Sequence, residues 1–255
     1  MKKMIKLSGK EDAAPIQKVA ASLLEALLFP KNKDDDVVVS FILTETNREQ
    51  MSEKLISVLR FSQSLISKPG SRFYDENNKN GTPKILMMAL PVVKTKESDV
   101  QTNGDVLNGF GERIKVHEVR VFLEDKKTKN QDDTEHVSVS LKAKTLPNGI
   151  VKQPKSAGST ASRVLRTLIG DGKDCAVDFV LTPYNSGAMC EKIVSMMRIM
   201  QRMQKDPASI IFNGLPSQRV DYVITASAPV MIRVPARNRE KETLTTVNEI
   251  VFNVK

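Results

Sequence analysis

The chain contains few side chains of the kinds that bind metals or act as nucleophiles. Its two histidines are His117 and His136, and its two cysteines are Cys175 and Cys190. The spacing of these four residues matches no zinc-binding motif, and two cysteines cannot build a disulfide framework. The sequence therefore predicts no metal site and no cofactor, and this cysteine usage fits a reducing compartment.

Motifs that support phosphoryl or acyl transfer are also missing from the sequence. There is no Walker A, GxSxG, HExxH or dinucleotide-binding motif. The stretch GDGKD at 170–174 is more simply a helix end and turn than a phosphate loop. Asp178, within an apolar strand, could be catalytic only in a pocket that also holds polar partners such as His117 or His136. We therefore predict a non-enzymatic protein without catalytic residues, and such a pocket between two halves of the chain would favour an enzyme instead.

Positive charge is the strongest compositional signal. The 255 residues include 39 Lys and Arg against 30 Asp and Glu, which gives a net charge of +9 and a pI near 9.5. Both halves of the chain are net basic, so the charge does not belong to one tail. This balance favours acidic partners such as nucleic acid or an anionic membrane surface, and a soluble protein that is merely basic is the simpler alternative.

Targeting and membrane-spanning segments are not predicted. The first residues, MKKMIKLSGKEDAA, are basic but lack the apolar region of a signal peptide. No apolar run approaches the roughly 18 residues of a membrane span. We therefore expect a cytosolic or nuclear protein.

The sequence repeats itself at an offset of 138 residues. Between residues 39 and 71 and their counterparts 177 to 209, 13 of 33 positions are identical without a gap, where chance would give about two. The identical residues of the first copy are Val39, Phe41, Leu43, Thr44, Asn47, Met51, Glu53, Lys54, Ser57, Arg60, Gln63, Pro69 and Ser71. The repeat indicates an internal duplication, and a coincidental likeness of two strand–helix segments is the alternative.

Hydrophobic patterning predicts the same element order in each half. Apolar residues recur at helical spacing over 16–28 and about 49–67, and β-branched runs such as VVVSFILT are typical of buried strands. Each half is predicted to be β-α-β-α-β-β in a mixed α/β fold, with the segment SRFYDENNKNGTP as a loop. The charged stretch 125–133 is the expected hinge, which divides the chain into repeat domains 1–128 and 129–255.

The repeated helices share polar as well as apolar residues. Glu53, Ser57 and Arg60 form one stripe, and Glu191, Ser195 and Arg198 form its copy. A solvated helix face is the simpler explanation, and the alternatives are an interface between the halves, a contact surface or a recent duplication.

Candidate contacts to an anionic partner are the basic residues of the repeated helices and of one C-terminal segment. These residues are Lys54, Arg60, Lys192, Arg198, Arg202, Lys205, Arg237, Arg239 and Lys241. The candidate stacking residues Phe41, Phe122, Phe179 and Phe252 lie mostly in apolar runs that are expected to be buried. This argues against base stacking and for contacts to a phosphate backbone.

The stretch from Val37 to Lys96 resembles the matrix proteins of negative-strand RNA viruses, rhabdoviruses most of all. The similar features are a strand followed by TNREQ, an amphipathic helix, a polar loop with RFY, and the apolar strand PKILMMALPVVK. The resemblance covers about a quarter of the chain. It implies a structural protein that binds anionic membranes and ribonucleoprotein, self-associates, and resides in the host cytoplasm or nucleus or in the virion. The chain lacks the PPxY and PTAP budding motifs.

Two functional hypotheses follow. The first is a basic, self-associating protein of viral matrix type that binds anionic membrane, ribonucleoprotein or both. The second is a protein that binds RNA or single-stranded DNA, with its two halves forming a clamp and with Arg60, Arg198 and Arg202 reaching the same groove.

Overall fold

The computed structural model describes residues 3–8, 14–30, 37–97, 113–126, 134–142, 144–145, 151–205, 223–235 and 244–254. The strands are β1 (Lys3–Lys6), β2 (Val37–Ile42), β3 (Lys84–Ala89), β4 (Val92–Glu97), β5 (Arg113–Asp125), β6 (Glu135–Val139), β7 (Lys144–Thr145), β8 (Val151–Lys152), β9 (Cys175–Phe179), β10 (Ile224–Ser227), β11 (Val230–Pro235) and β12 (Leu244–Val254). The helices are α1 (Ile16–Leu28), α2 (Arg48–Ser67), α3 (Arg72–Asn78), α4 (Ala157–Leu165) and α5 (Ser186–Lys205). A π-helical turn, Arg166–Gly170, continues α4.

Strands from both halves of the chain form one ten-stranded sheet. Its order is β1-β2-β5-β3-β10-β12-β9-β6, with β4 beside β5 and β11 beside β12. The β1–β2 and β6–β9 pairs are parallel and the other pairs are antiparallel. The β3–β10 pair joins the first half to the second. The predicted mixed α/β fold is confirmed.

Equivalent elements of the two halves lie at nearly constant offsets. Helices α2 and α5 each have 20 residues, and their bounds differ by 138. Strands β4 and β11 differ by the same 138, while the pairing registers relate β5 to β12 by 131 and β1 to β6 by 132. These offsets allow each residue to be compared with its counterpart, and the internal duplication is our interpretation of them.

A proline interrupts the same strand in each half. The sequence predicts one strand over KILMMALPVVK, but Pro91 separates β3 from β4, and Pro229 separates β10 from β11. Proline has no backbone N–H to donate to the ladder, and each interruption coincides with a one-residue shift in the pairing register.

The core lies between the helices and one face of the sheet. Helix α2 packs against α1 and α5, and α5 packs against α4. Alternate strand residues such as Val39, Phe41, Val177 and Phe179 join the helical residues in a single hydrophobic cluster. The methionines of α5 that were predicted to be core, Met189, Met196 and Met197, are buried there, while Met203 is partly buried. The predicted domains 1–128 and 129–255 thus share a sheet and a core.

The predicted loop SRFYDENNKNGTP was wrong in its first part, which forms helix α3. The Ser71 side chain caps this helix by accepting a hydrogen bond from the Phe73 backbone N–H over 3.3 Å. Phe73 and Asn77 are buried and anchor the short helix. The turn signal acts only afterwards, where Gly81 has a φ of +75° that favours glycine.

Candidate functional site

A repeated asparagine turn fixes the start of each long helix. The side-chain oxygen of Asn47 accepts from the Thr44 backbone N–H over 2.8 Å, and Asn185 does the same for Thr182 over 2.8 Å. Each amide group also donates to the carbonyl that ends the preceding strand, over 3.2 Å at Asn47 and 3.1 Å at Asn185. The shared Thr and Asn residues therefore orient α2 and α5 relative to the sheet.

The repeated lysines make one equivalent contact in each half. Lys54 Nζ donates to the Ser8 carbonyl over 2.6 Å, and Lys192 Nζ donates to the Ser140 carbonyl over 2.7 Å. Ser8 and Ser140 follow β1 and β6 and differ by the same offset of 132. Burial lowers the pKa of both lysines. These two predicted contacts to an anion instead tie the helices to the chain that leaves the edge strands.

The polar stripe of α2 crosses into the second half. Glu53 accepts a hydrogen bond of 2.6 Å from the Ser186 hydroxyl at the start of α5, and Arg60 Nη1 donates to Asn248 Oδ1 of β12 over 3.4 Å. All six residues of the two stripes are half-buried. These contacts favour an interface between the halves over the solvated face that the sequence suggested.

Arg198 makes the reciprocal approach toward the first half. Its neighbour on β5 is His117, the counterpart of Asn248, which is 2% exposed and stacks on Phe41 with the rings 5.4 Å apart. Burial, followed by the Arg198 and Lys115 charges, lowers the pKa of His117 to about 4. A neutral imidazole reduces the repulsion from Arg198, although neither ring nitrogen has a hydrogen-bond partner among the described residues.

A basic groove runs between α5 and the interrupted strand of the first half. It encloses about 630 Å³ and is lined by Pro91, Val92, Val93, Arg198, Ile199, Gln201, Arg202, Met203 and Lys205. We call this feature the α5 groove. It brings together three of the nine predicted contact residues, all on one stripe of α5.

The cations of the α5 groove are poorly neutralised within the described part of the protein. Burial lowers the pKa of Arg198, Glu191 opposes this shift, and Arg202 adds to it. The buried Nε of Arg198 has no hydrogen-bond partner there. Arg202 and Lys205 are exposed and lie in the last turn of the helix, where the helix dipole favours positive charge.

The corresponding stripe of α2 lacks this concentration of charge. Arg202 and Lys205 correspond to Ser64 and Ser67 at the offset of 138, and Arg60 is already bonded to Asn248. Arg60 therefore does not join Arg198 and Arg202 in one groove, as the clamp hypothesis expected. Arg237, Arg239 and Lys241 lie outside the described residues.

Aromatic stacking receives no support from the groove. Phe41, Phe179 and Phe252 are buried, as the sequence predicted, and Phe122 is half-buried beneath the Arg120 guanidinium at 5.2 Å. Among the described residues that line the groove, none is aromatic. Any nucleic acid in it would therefore be held through its backbone.

The remaining reactive groups do not share one site. Burial raises the pKa of both Cys175 and Cys190 to about 12, so neither thiol is an activated nucleophile. His117 faces the core, whereas His136 and Asp178 lie on the opposite face of the sheet together with Glu249. The pocket that would combine His117 with Asp178 is therefore not formed by these residues.

Comparisons of the chain with protein-family models, with curated proteins and with solved structures found no match. Within the described parts of the chain, no helix is both long and apolar enough to span a membrane.

Proposed function

We propose that the protein binds single-stranded nucleic acid by holding its phosphate backbone in the α5 groove. The observation that carries this proposal is the convergence of Arg198, Arg202 and Lys205 on a groove of about 630 Å³. Cations clustered on one helix face repel one another, and a bound polyanion offsets that repulsion.

The shape of the site favours a nucleic acid strand over a membrane. The three cations lie at i, i+4 and i+7, so the stripe is about 10 Å long, over which a strand presents more than one phosphate. Pro91, Val92 and Val93 form the opposite wall, so the charges line a cleft between a helix and a strand. A strand can enter such a cleft, whereas a flat lipid surface reaches only its rim.

The chemistry of the walls predicts weak sequence preference. Two arginines and a lysine contact phosphates, and the aliphatic wall supplies no donor or acceptor pattern that reads base edges. We therefore expect steep salt dependence and similar affinity for different base compositions.

The experiment measures binding of the full chain to a mixed-sequence single-stranded RNA, to duplex DNA and to phosphatidylserine liposomes at several salt concentrations. The test variant is R202S/K205S, which gives α5 the two serines that α2 has at the equivalent positions. If two contacts to a single strand are lost, the slope of log affinity against log salt falls by about 1.4.

The matched control is K18S/R166S, which removes the same two charges from exposed positions on α1 and the π-helical turn. We expect this control to keep most of the RNA affinity and of the salt slope. Equal weakening by both double variants would overturn the groove proposal. Binding and polymerisation on liposomes without RNA binding would instead favour a matrix-type assembly protein.

A further inference from the structure

Three potential metal ligands meet on the sheet face opposite the hydrophobic core. His136 of β6, Asp178 of β9 and Glu249 of β12 come from three adjacent strands, and Asp178 is directly opposite Glu249 in the pairing register. The ligand atoms of the three side chains all lie within 4.8 Å of one another. The sheet therefore assembles a donor set of one imidazole and two carboxylates from residues far apart in sequence.

The distances suit a tetrahedral ion. His136 Nδ1 is 3.1 Å from Asp178 Oδ2 and 3.9 Å from Glu249 Oε2. A tetrahedral zinc ion with bonds of about 2.0–2.2 Å places its ligand atoms about 3.3–3.6 Å apart. Small side-chain rotations would bring the three atoms to that spacing.

The local electrostatics also call for a cation. Two carboxylates directly opposite on neighbouring strands repel each other, and both side chains are only 16% exposed. One Asp178 oxygen is buried without a hydrogen-bond partner in the described part of the chain. His136 is the basic side chain that approaches the pair among the described residues, and it is 48% exposed.

The first half solves the same problem with its own charge. The counterpart of Glu249 is Glu118, whose carboxylate is 2.5 Å from Lys94 Nζ. Lys94 is replaced by Ile232 in the second half, while the counterparts of Asp178 and His136 are Ser40 and Met4. The second half has thus lost the neutralising lysine and gained two ligand groups at one point of the fold.

We propose that His136, Asp178 and Glu249 bind a divalent transition-metal ion of the Zn²⁺ type. A histidine in the donor set favours such an ion over Mg²⁺ or Ca²⁺, which prefer oxygen ligands alone. The exposed side of His136 leaves a further coordination position open to water. This site is independent of the α5 groove.

The experiment uses the untagged full chain, which contains only two histidines. Titration calorimetry with Zn²⁺ is expected to show one saturable site, with Mg²⁺ binding at least about tenfold weaker. In NMR spectra the ring signals of His136, assigned with H136Q, are expected to shift while those of His117 stay in place. Zn²⁺ should also raise the melting temperature of the wild-type chain.

The variants D178N, E249Q and H136Q are each expected to weaken Zn²⁺ binding by more than about tenfold. Because the first two remove one of two repelling charges, their metal-free melting temperatures should be no lower than that of the wild type. E118Q, at the equivalent position of the first half, should bind Zn²⁺ like the wild type. Absence of saturable binding, perturbation of His117 instead of His136, or equal affinity in all variants would overturn the proposal.

Discussion

Arg60 of α2 donates a hydrogen bond to Asn248 of β12, 188 residues later in the chain. The two groups belong to different halves, and Arg198 makes the equivalent approach from α5 to His117 of β5. The arginine repeated in the two helices therefore lies at the interface between the halves. It meets a hydrogen-bond acceptor in one case and a buried imidazole in the other.

The Arg60–Asn248 contact is expected to stabilise the association of the halves. R60M and N248A should each lower the free energy of unfolding, and their effects should not add. A double-mutant cycle in urea should give a coupling of about 1 kcal/mol, since both groups are largely removed from water. Additive effects would show that the 3.4 Å contact contributes nothing.

Acid should destabilise the protein through His117. Its pKa is about 4 in the folded protein and about 6.5 when unfolded, so between these values the unfolded state binds the extra proton. Stability is therefore complete above pH 6.5 and falls by up to about 3 kcal/mol as the pH decreases to 4.

The variant H117N isolates this contribution, because asparagine is the residue at the equivalent position 248. The wild type should lose about 3 kcal/mol more than H117N between pH 7 and pH 4, as measured by urea unfolding. Since both proteins retain His136, its titration cancels in the comparison. Parallel pH profiles would contradict the assignment to His117.

The two repeated lysines should affect stability but not binding. K54M and K192M each remove a charged hydrogen bond to a backbone carbonyl, at a cost of about 1–2 kcal/mol. RNA affinity and its salt slope should stay close to the wild-type values. A fall in the slope similar to that of R202S/K205S would place these lysines in the binding surface.

The asparagine turns should contribute equally in the two halves. N47A and N185A each remove two side-chain hydrogen bonds to the turn backbone and should lower the free energy of unfolding by about 1–2 kcal/mol. The measurement is equilibrium unfolding of both variants, with T46A as a control on the exposed side of the same turn. A much larger cost at one turn would show that the repeated motif has different roles in the two halves.

Local pattern was sufficient for much of the fold. The apolar stripes of α1, α2 and α5 and the β-branched runs of β2 and β9 identify their elements because period and propensity are properties of neighbouring residues. Helix α3 was missed because turn-forming residues surround it and its anchors, Phe73 and Asn77, depend on distant packing.

The candidate site could be predicted only in part. The sequence identified Arg198, Arg202 and Lys205 as basic residues of a repeated helix, but Lys54 and Lys192 are basic residues of the same repeated helices. Only the structure shows that these two lysines contact backbone carbonyls while the other three residues line a groove.

The sequence by itself determined the element types, the 138-residue repeat and the basic charge, because these depend on residue identity and local spacing. Only the tertiary structure decided that the halves share one sheet, that the repeated arginines face the interface, and that His136 meets Asp178 and Glu249. Strand order and pairing register set these contacts, and both arise from packing between segments more than 40 residues apart.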